Sequence, residues 1–206
     1  IFAVLAAAVA LAYYGYSFVS EEASRGREQQ LMRDLAEEKV LGIETAILRD
    51  DQKLFSSTLP LDQFIEKLPE LTVGVQVKSV FVLDEQADGR LNVMPDGYHS
   101  TRVGKEGATF REWFLKVVLP DLPLAKLTPD VRDHMHAIWD DKPYLFSFVK
   151  KASADKAYYI VIEEDLAYLI NYQFPTYFPY FDSSQLIYQV IDSDGGVHYG
   201  VPFVPE

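Results

Sequence analysis

The first nineteen residues, IFAVLAAAVALAYYGYSFV, contain no charged side chain. As a helix rising about 1.5 Å per residue they would span just under ~30 Å, one bilayer core. Tyr13, Tyr14 and Tyr16 gather at one end, where amphipathic rings favour the headgroup layer. Glu21 and Glu22 follow at once. The pattern predicts a transmembrane helix over 1–19. A signal peptide, cleaved near Ala10-Leu11-Ala12, and a buried helix fit the same stretch. Beyond it Met32, Ala36, Val40, Ile43 and Ile47 recur at helical spacing, with mostly charged or polar residues between them. No proline precedes Pro60, so one nearly continuous helix is expected to about residue 52. Its apolar stripe packs either on its own domain or against a second copy in a parallel pair.

Short elements follow. STLPLDQFIEKLPEL predicts a short helix between Pro60 and Pro69, with Phe64, Ile65 and Leu68 inward. Val75, Val77 and the run Val80–Leu83 are strand formers, and Asp88-Gly89 is a hairpin signal. ATFREWFLKVVLPDL places Phe110, Trp113, Phe114 and Val117 on one helical face ending near Pro120. TPDVRDHMHAIWDD predicts another short helix, with Thr128 as N-cap and Pro129 at its first position. KPYLFSFVKK and KAYYIVIEED read as paired strands, with Tyr144, Phe146 and Phe148 on one face. LAYLINYQFPTYFPYF starts as a helix and is then broken by Pro175 and Pro179. LIYQVIDSDGGVHYG is a final hairpin. Strands in antiparallel pairs with helices between them indicate an α+β fold.

Composition narrows the function. The 206 residues are 49% hydrophobic, enough for a packed core, and the net charge of −12 argues against a nucleic-acid partner. With no cysteine there is no disulfide, thiolate metal site or cysteine nucleophile. No phosphate loop, dinucleotide fingerprint, nucleophile elbow or zinc-protease motif occurs, and no cofactor is expected. The strongest metal candidate is DHMHAIWDD: Asp133, His134, His136, Asp140 and Asp141. On the expected helix its two histidines diverge; on a strand they would share a face. The adjacent pairs Glu37-Glu38, Asp140-Asp141 and Glu163-Glu164 read as solvated decoration, not as an acid/base pair.

Two stretches repeat one design. SVFVLDEQADGRLNVMP and IYQVIDSDGGVHYGVP each have an apolar strand, an aspartate (Asp84, Asp192), an Asp-Gly turn, a second strand and a proline (Pro95, Pro202). Placed after a long membrane-anchored helix, this pattern resembles extracytoplasmic PAS-like sensor domains of the Cache type. LAEEKVLGIETAI, FLKVVLPDL, YLFSFV, AYYIVIEEDLAYL and FPTYF extend the likeness to the sensor region of membrane-bound histidine kinases of myxobacterial type. The resemblance implies four segments: a transmembrane helix at 1–19, an extracytoplasmic signalling helix at 20–55, a PAS/Cache-like sensor domain at 56–165, and at 166–206 a linker helix with the start of a second, incomplete PAS-like unit. It implies a bacterial inner-membrane protein with residues after about 20 in the periplasm. It further implies a small-molecule, carboxylate-bearing ligand, a homodimer, and a kinase core outside this chain, with no catalysis within it. In the amino-acid-binding tandem members an Arg-x-Trp-aromatic run holds the ligand carboxylate. Arg111, Trp113 and Phe114 match that run, and Tyr144 and Phe146 would line the pocket. The family's final ring is usually tyrosine, where this chain has Phe114, and its amine-binding aspartate has no counterpart in KPYLFSFVKKAS. Trp113 and Phe114 as core and Arg111 as a surface charge is the competing reading. Two other functions fit the chain, a membrane-anchored metal-dependent hydrolase and a scaffold without ligand.

The stripe of Met32, Ala36, Val40, Ile43 and Ile47 is the expected dimer contact. Ile43→Asp should place a charge in that seam and shift the chain from dimer to monomer in analytical ultracentrifugation. An unchanged sedimentation profile across concentrations would remove the stripe as an interface.

Overall fold

Two strands with apolar residues on both faces organise the structure. They are β1 (Val77–Glu85) and β5 (Ala157–Glu164), which pair antiparallel. The computed structural model describes residues 2–74, 76–87, 89–152, 157–178, 190–191 and 197–200, and for 2–23, 48, 50, 190–191 and 197–199 the backbone alone. Val75, Asp88, Pro179, Asp192, the Asp194-Gly195 turn and Pro202 lie outside the described residues. The chain is α+β, with an N-terminal helix and a five-stranded antiparallel sheet.

It divides into two units, Ile1–Glu44 and Thr45–Glu206. The N-terminal helix α1 runs Phe2–Phe55. In the first unit Met32 is 43% and Val40 49% exposed, and Ala36 is exposed as well. Ile43 and Ile47 are part-buried. Among the described residues no helix is long and apolar enough to cross a membrane. The side chains of the charge-free stretch at 1–19 lie outside those residues.

In the second unit α2 (Leu61–Glu66) and α3 (Leu68–Leu71) follow α1. Phe64 and Leu68 are buried as their spacing predicts. Pro69 does not end the helical stretch; it sits in the first turn of α3, where its missing N–H has no helical partner to lose. The remaining strands are β2 (Leu91–Ser100), β3 (Arg132–Trp139) and β4 (Lys142–Ala152), giving the sheet order β2-β1-β5-β4-β3. Phe81, Leu83, Phe146, Phe148, Tyr159 and Val161 fill one side of the sheet. Val80, Val82, Val149, Ile160 and Ile162 fill the other, against Leu54 and Phe55 of α1, Phe64 and Leu68. The alternation is that of successive strand residues.

β2 runs on past Pro95, which the sequence pattern placed at its end. Between the pairs Phe81↔Tyr98 and Leu83↔Val93 it takes five steps against two along β1. Pro95 sits in that bulge on an edge strand, so its missing N–H breaks no central ladder. A Cβ at Gly97 would stand 2.9 Å from the Val82 carbonyl oxygen, so only glycine lets the bulge lie this close to β1.

The segment TPDVRDHMHAIWDD is the largest departure from expectation: it forms β3, not a helix. Thr128-Pro129-Asp130-Val131 closes a turn through Val131 N–H to the Thr128 carbonyl at 3.2 Å, with Asp130 at φ 61°. Proline second and a left-handed residue third is type II turn chemistry, which a Thr-Pro helix start imitates. Met135, Ala137 and Trp139 then pack into the core at period two. His134 and His136 share the opposite face and are exposed.

α4 (Gly104–Trp113) passes into one π-helical turn, Phe114–Val118, closed by Leu119 N–H on the Phe114 carbonyl at 2.9 Å. The wider turn keeps residues four apart on one face, so Phe110, Phe114 and Val118 are buried where α-helical spacing predicts Val117. Beyond β5 come α5 (Leu166–Tyr168), a π-helical stretch Leu169–Gln173 and α6 (Phe174–Tyr177). Pro175 falls in the first turn of α6 and does not break the run. The last strands, β6 (Val190–Ile191) and β7 (Val197–Tyr199), pair with each other in a two-stranded sheet of their own.

Phe114 is fully buried and stacks on Phe81 with ring centroids 3.7 Å apart. Phe114→Ala should cost about 3–5 kcal/mol, read as a lower urea midpoint at unchanged slope. Lys116→Ala, exposed on the same turn, should leave the midpoint within experimental error.

Candidate functional site

Where α4 crosses the ends of β4 and β5 the core opens into a cleft of about 820 Å³. The sheet row that packs α4 runs Tyr159, Val161, Glu163, so the third position places a carboxylate at the end of an apolar strand. Glu163 is 2% exposed. A carboxylate taken so far from water needs partners, and Arg102, just before α4, supplies them. Its Nη1 donates to Glu163 Oε2 at 2.6 Å and its Nη2 to Oε1 at 2.7 Å. Nη1 also donates to Ser79 Oγ at 3.1 Å, Nε lies 3.9 Å from Glu106, and the guanidinium rests 3.7 Å above the Phe110 ring. Burial alone would lower the Arg102 pKa; the hydrogen bonds and charge of Glu163 outweigh it and raise it.

Glu164 is also buried and accepts from Ser147 Oγ at 2.7 Å. The next residue, Asp165, lies 3.5 Å from Lys78 Nζ and caps α5 by accepting from Tyr168 N–H at 3.2 Å. Adjacent strand residues face opposite ways, so the pair expected to decorate a solvated surface is gripped by two different neighbours. The readable signal was the apolar run YYIVI that leads straight into the two glutamates.

The opposite wall is aromatic. Phe110, Trp113 and Tyr144 form a contiguous surface, with Trp113 5.3 Å from Phe110 and 5.0 Å from Tyr144. Burial raises the Tyr144 pKa, and the Glu163 charge adds to it, so the hydroxyl stays protonated. At the lip Asp140 and Asp141 make the two-residue turn between β3 and β4, at φ 51° and 59°. Two left-handed residues are the signature of a type I′ hairpin, a turn that ordinarily favours Asn-Gly. The first aspartate also reaches across to the helix, where Asp140 Oδ2 accepts the Trp113 indole N–H at 2.6 Å. At the base of the same hairpin Trp139 donates its indole N–H to Asp121 at 2.9 Å. The two bonds clasp the hairpin to α4 and to the loop after it.

The sequence-predicted site residues separate on this map. Trp113 and Tyr144 line the cleft together. Phe114 and Phe146 are fully buried core residues. Arg111 is exposed and is not among the residues lining the cleft; the guanidinium in the cleft belongs to Arg102. Among the described residues no three His, Asp or Glu side chains gather as a metal site. A second groove of about 590 Å³ lies against α2, α3 and the β2 bulge and has Asp62, Glu66 and Asp96 in its lining. It lacks the convergence of rings and paired charges seen in the cleft. Comparison with family models and with curated proteins gave no match.

Arg102→Met leaves Glu163 buried without its cation and should destabilise the chain by about 3–5 kcal/mol. Adding Glu163→Leu should recover most of that loss in urea titrations. A double variant as unstable as the single one would show that the ion pair is not what Arg102 contributes.

Proposed function

We propose that this chain is the extracytoplasmic ligand-sensing region of a transmembrane signalling receptor, namely a two-component sensor histidine kinase whose catalytic core lies outside it. The observation that carries the reading is the cleft: a concave site on one face of a five-stranded antiparallel sheet, walled by a helix and lined by rings with a few converging charges. The order β2-β1-β5-β4-β3, with first and last strands side by side at the centre, is the arrangement a PAS-like domain would have. In this reading the charge-free segment at 1–19 anchors the protein in the bacterial inner membrane. The stripe from Met32 to Ile47 joins two copies, and β6–β7 opens a second PAS-like unit.

Sensing requires a ligand to bind one of two conformations better than the other. One segment that reaches the cleft is the β5–α5 junction. Glu163, Glu164 and Leu166 all line it, and the chain continues from there into α5 and α6.

The test uses the chain joined to the sequence that follows it in its reading frame, in isolated membranes. ATP-dependent autophosphorylation should be measurable, and Thr109→Trp, which fills the cleft, should change its rate several-fold. Absence of phosphoryl incorporation would overturn the kinase reading. Incorporation indifferent to Thr109→Trp would detach the cleft from signalling.

A further inference from the structure

The aromatic wall of the cleft has two halves. Over Phe110 sits a cation, the Arg102 guanidinium, 3.7 Å from the ring and held by the Glu163 carboxylate. Beside it Trp113 and Tyr144 bring related groups together: two rings with centroids 5.0 Å apart, tilted by 37°, and a carboxylate, Asp140, fixed at the indole edge by the Trp113 N–H. The carboxylate keeps lone pairs beyond the one that accepts from Trp113. Ring faces attract cations, and more strongly where water is excluded. Arg102 meanwhile is committed. Three of its five N–H groups already donate to Glu163 and Ser79, and its charge is balanced by the buried Glu163 carboxylate.

Resting on the reading of the cleft as a sensor site, we propose that its ligand is a protonated amine or quaternary ammonium on an apolar body. The cation sits against Trp113 and Tyr144 with Asp140 as its counter-charge. The apolar body lies along Phe110 and Pro143, both in the cleft lining. This replaces the carboxylate expected from the Arg-x-Trp run as the recognised group.

The experiment is calorimetric titration of the purified chain with phenethylamine, tetramethylammonium and, as the anionic counterpart, phenylacetate. The two cations should bind and phenylacetate should not. Asp140→Asn keeps the acceptor for Trp113 and suits the left-handed turn, so it should fold as the parent does while weakening the cations about tenfold or more. Lys116→Ala, exposed and outside the cleft lining, should leave their affinity within about twofold, whereas Lys142 in the lining is a cation that an anionic ligand would use. Phenylacetate binding that Lys142→Ala weakens would overturn the proposal. So would failure of both cations to bind, or cation binding indifferent to Asp140→Asn. None of these outcomes touches the autophosphorylation result, so the ligand class and the sensor reading fail separately.

Discussion

The ion pair between Arg102 and Glu163 is the constraint around which the cleft is arranged. Burying a carboxylate at the end of β5 costs several kcal/mol unless a cation meets it with good geometry. The paired, two-pronged contact of 2.6 and 2.7 Å meets that condition. In doing so it fixes where the chain leaves β2 and enters α4, because Arg102 lies between them. Its guanidinium then covers Phe110, which sets the first turns of α4 against the sheet. A hydrophobic pair in the same place would have closed the core at this point. The ion pair is largely buried, and both of its members form part of the cleft wall.

The same helix serves core and site because its winding changes. Phe110 and Phe114 follow each other down one face, and Phe114 reaches Phe81 in the centre of the sheet. Trp113, one residue earlier, is turned out of the core and toward the β3–β4 hairpin. The π-helical turn that begins at Phe114 carries Val118 into the core in place of Val117. One short run, FREWF, thus contains an exposed arginine, a cleft-lining tryptophan and a core phenylalanine. Spacing alone cannot separate these roles, since the direction of each side chain depends on where the helix lands.

That limit explains what the sequence did and did not disclose. The central strands were legible because Val80–Leu83 and Tyr158–Ile162 are unbroken apolar runs, which only a doubly covered strand or a buried helix accommodates. β3 was hidden because Thr-Pro-Asp serves equally as a helix start and as a turn, and only the partner strand decides between them. Its Met135, Ala137 and Trp139 alternation was the weaker signal in a segment of polar residues. Trp113 was named through the Arg-x-Trp-aromatic resemblance and Tyr144 through the alternation of rings along its strand, and both line the cleft. Arg102 was missed, Glu163 was read as solvated decoration and Asp140 as that or a metal candidate, because their contacts arise from pairs 61 and 27 residues apart. No local pattern marks the two members as partners.

The acidic triplet at the end of β5 ties these elements together. Glu163 is held by Arg102 from the start of α4, Glu164 by Ser147 of β4, and Asp165 by Lys78 of β1. Three successive residues are thereby fastened to three different parts of the domain immediately before the chain turns into α5. Backbone contact reinforces this, with Asp165 N–H donating to the Gln76 carbonyl at 3.0 Å. The first two anchors are short hydrogen bonds with narrow geometric tolerance, and the third is a longer ion pair. Two of the acids and two of their partners, Arg102 and Lys78, also line the cleft. An occupant of the cleft would therefore touch residues of the junction that leads into α5.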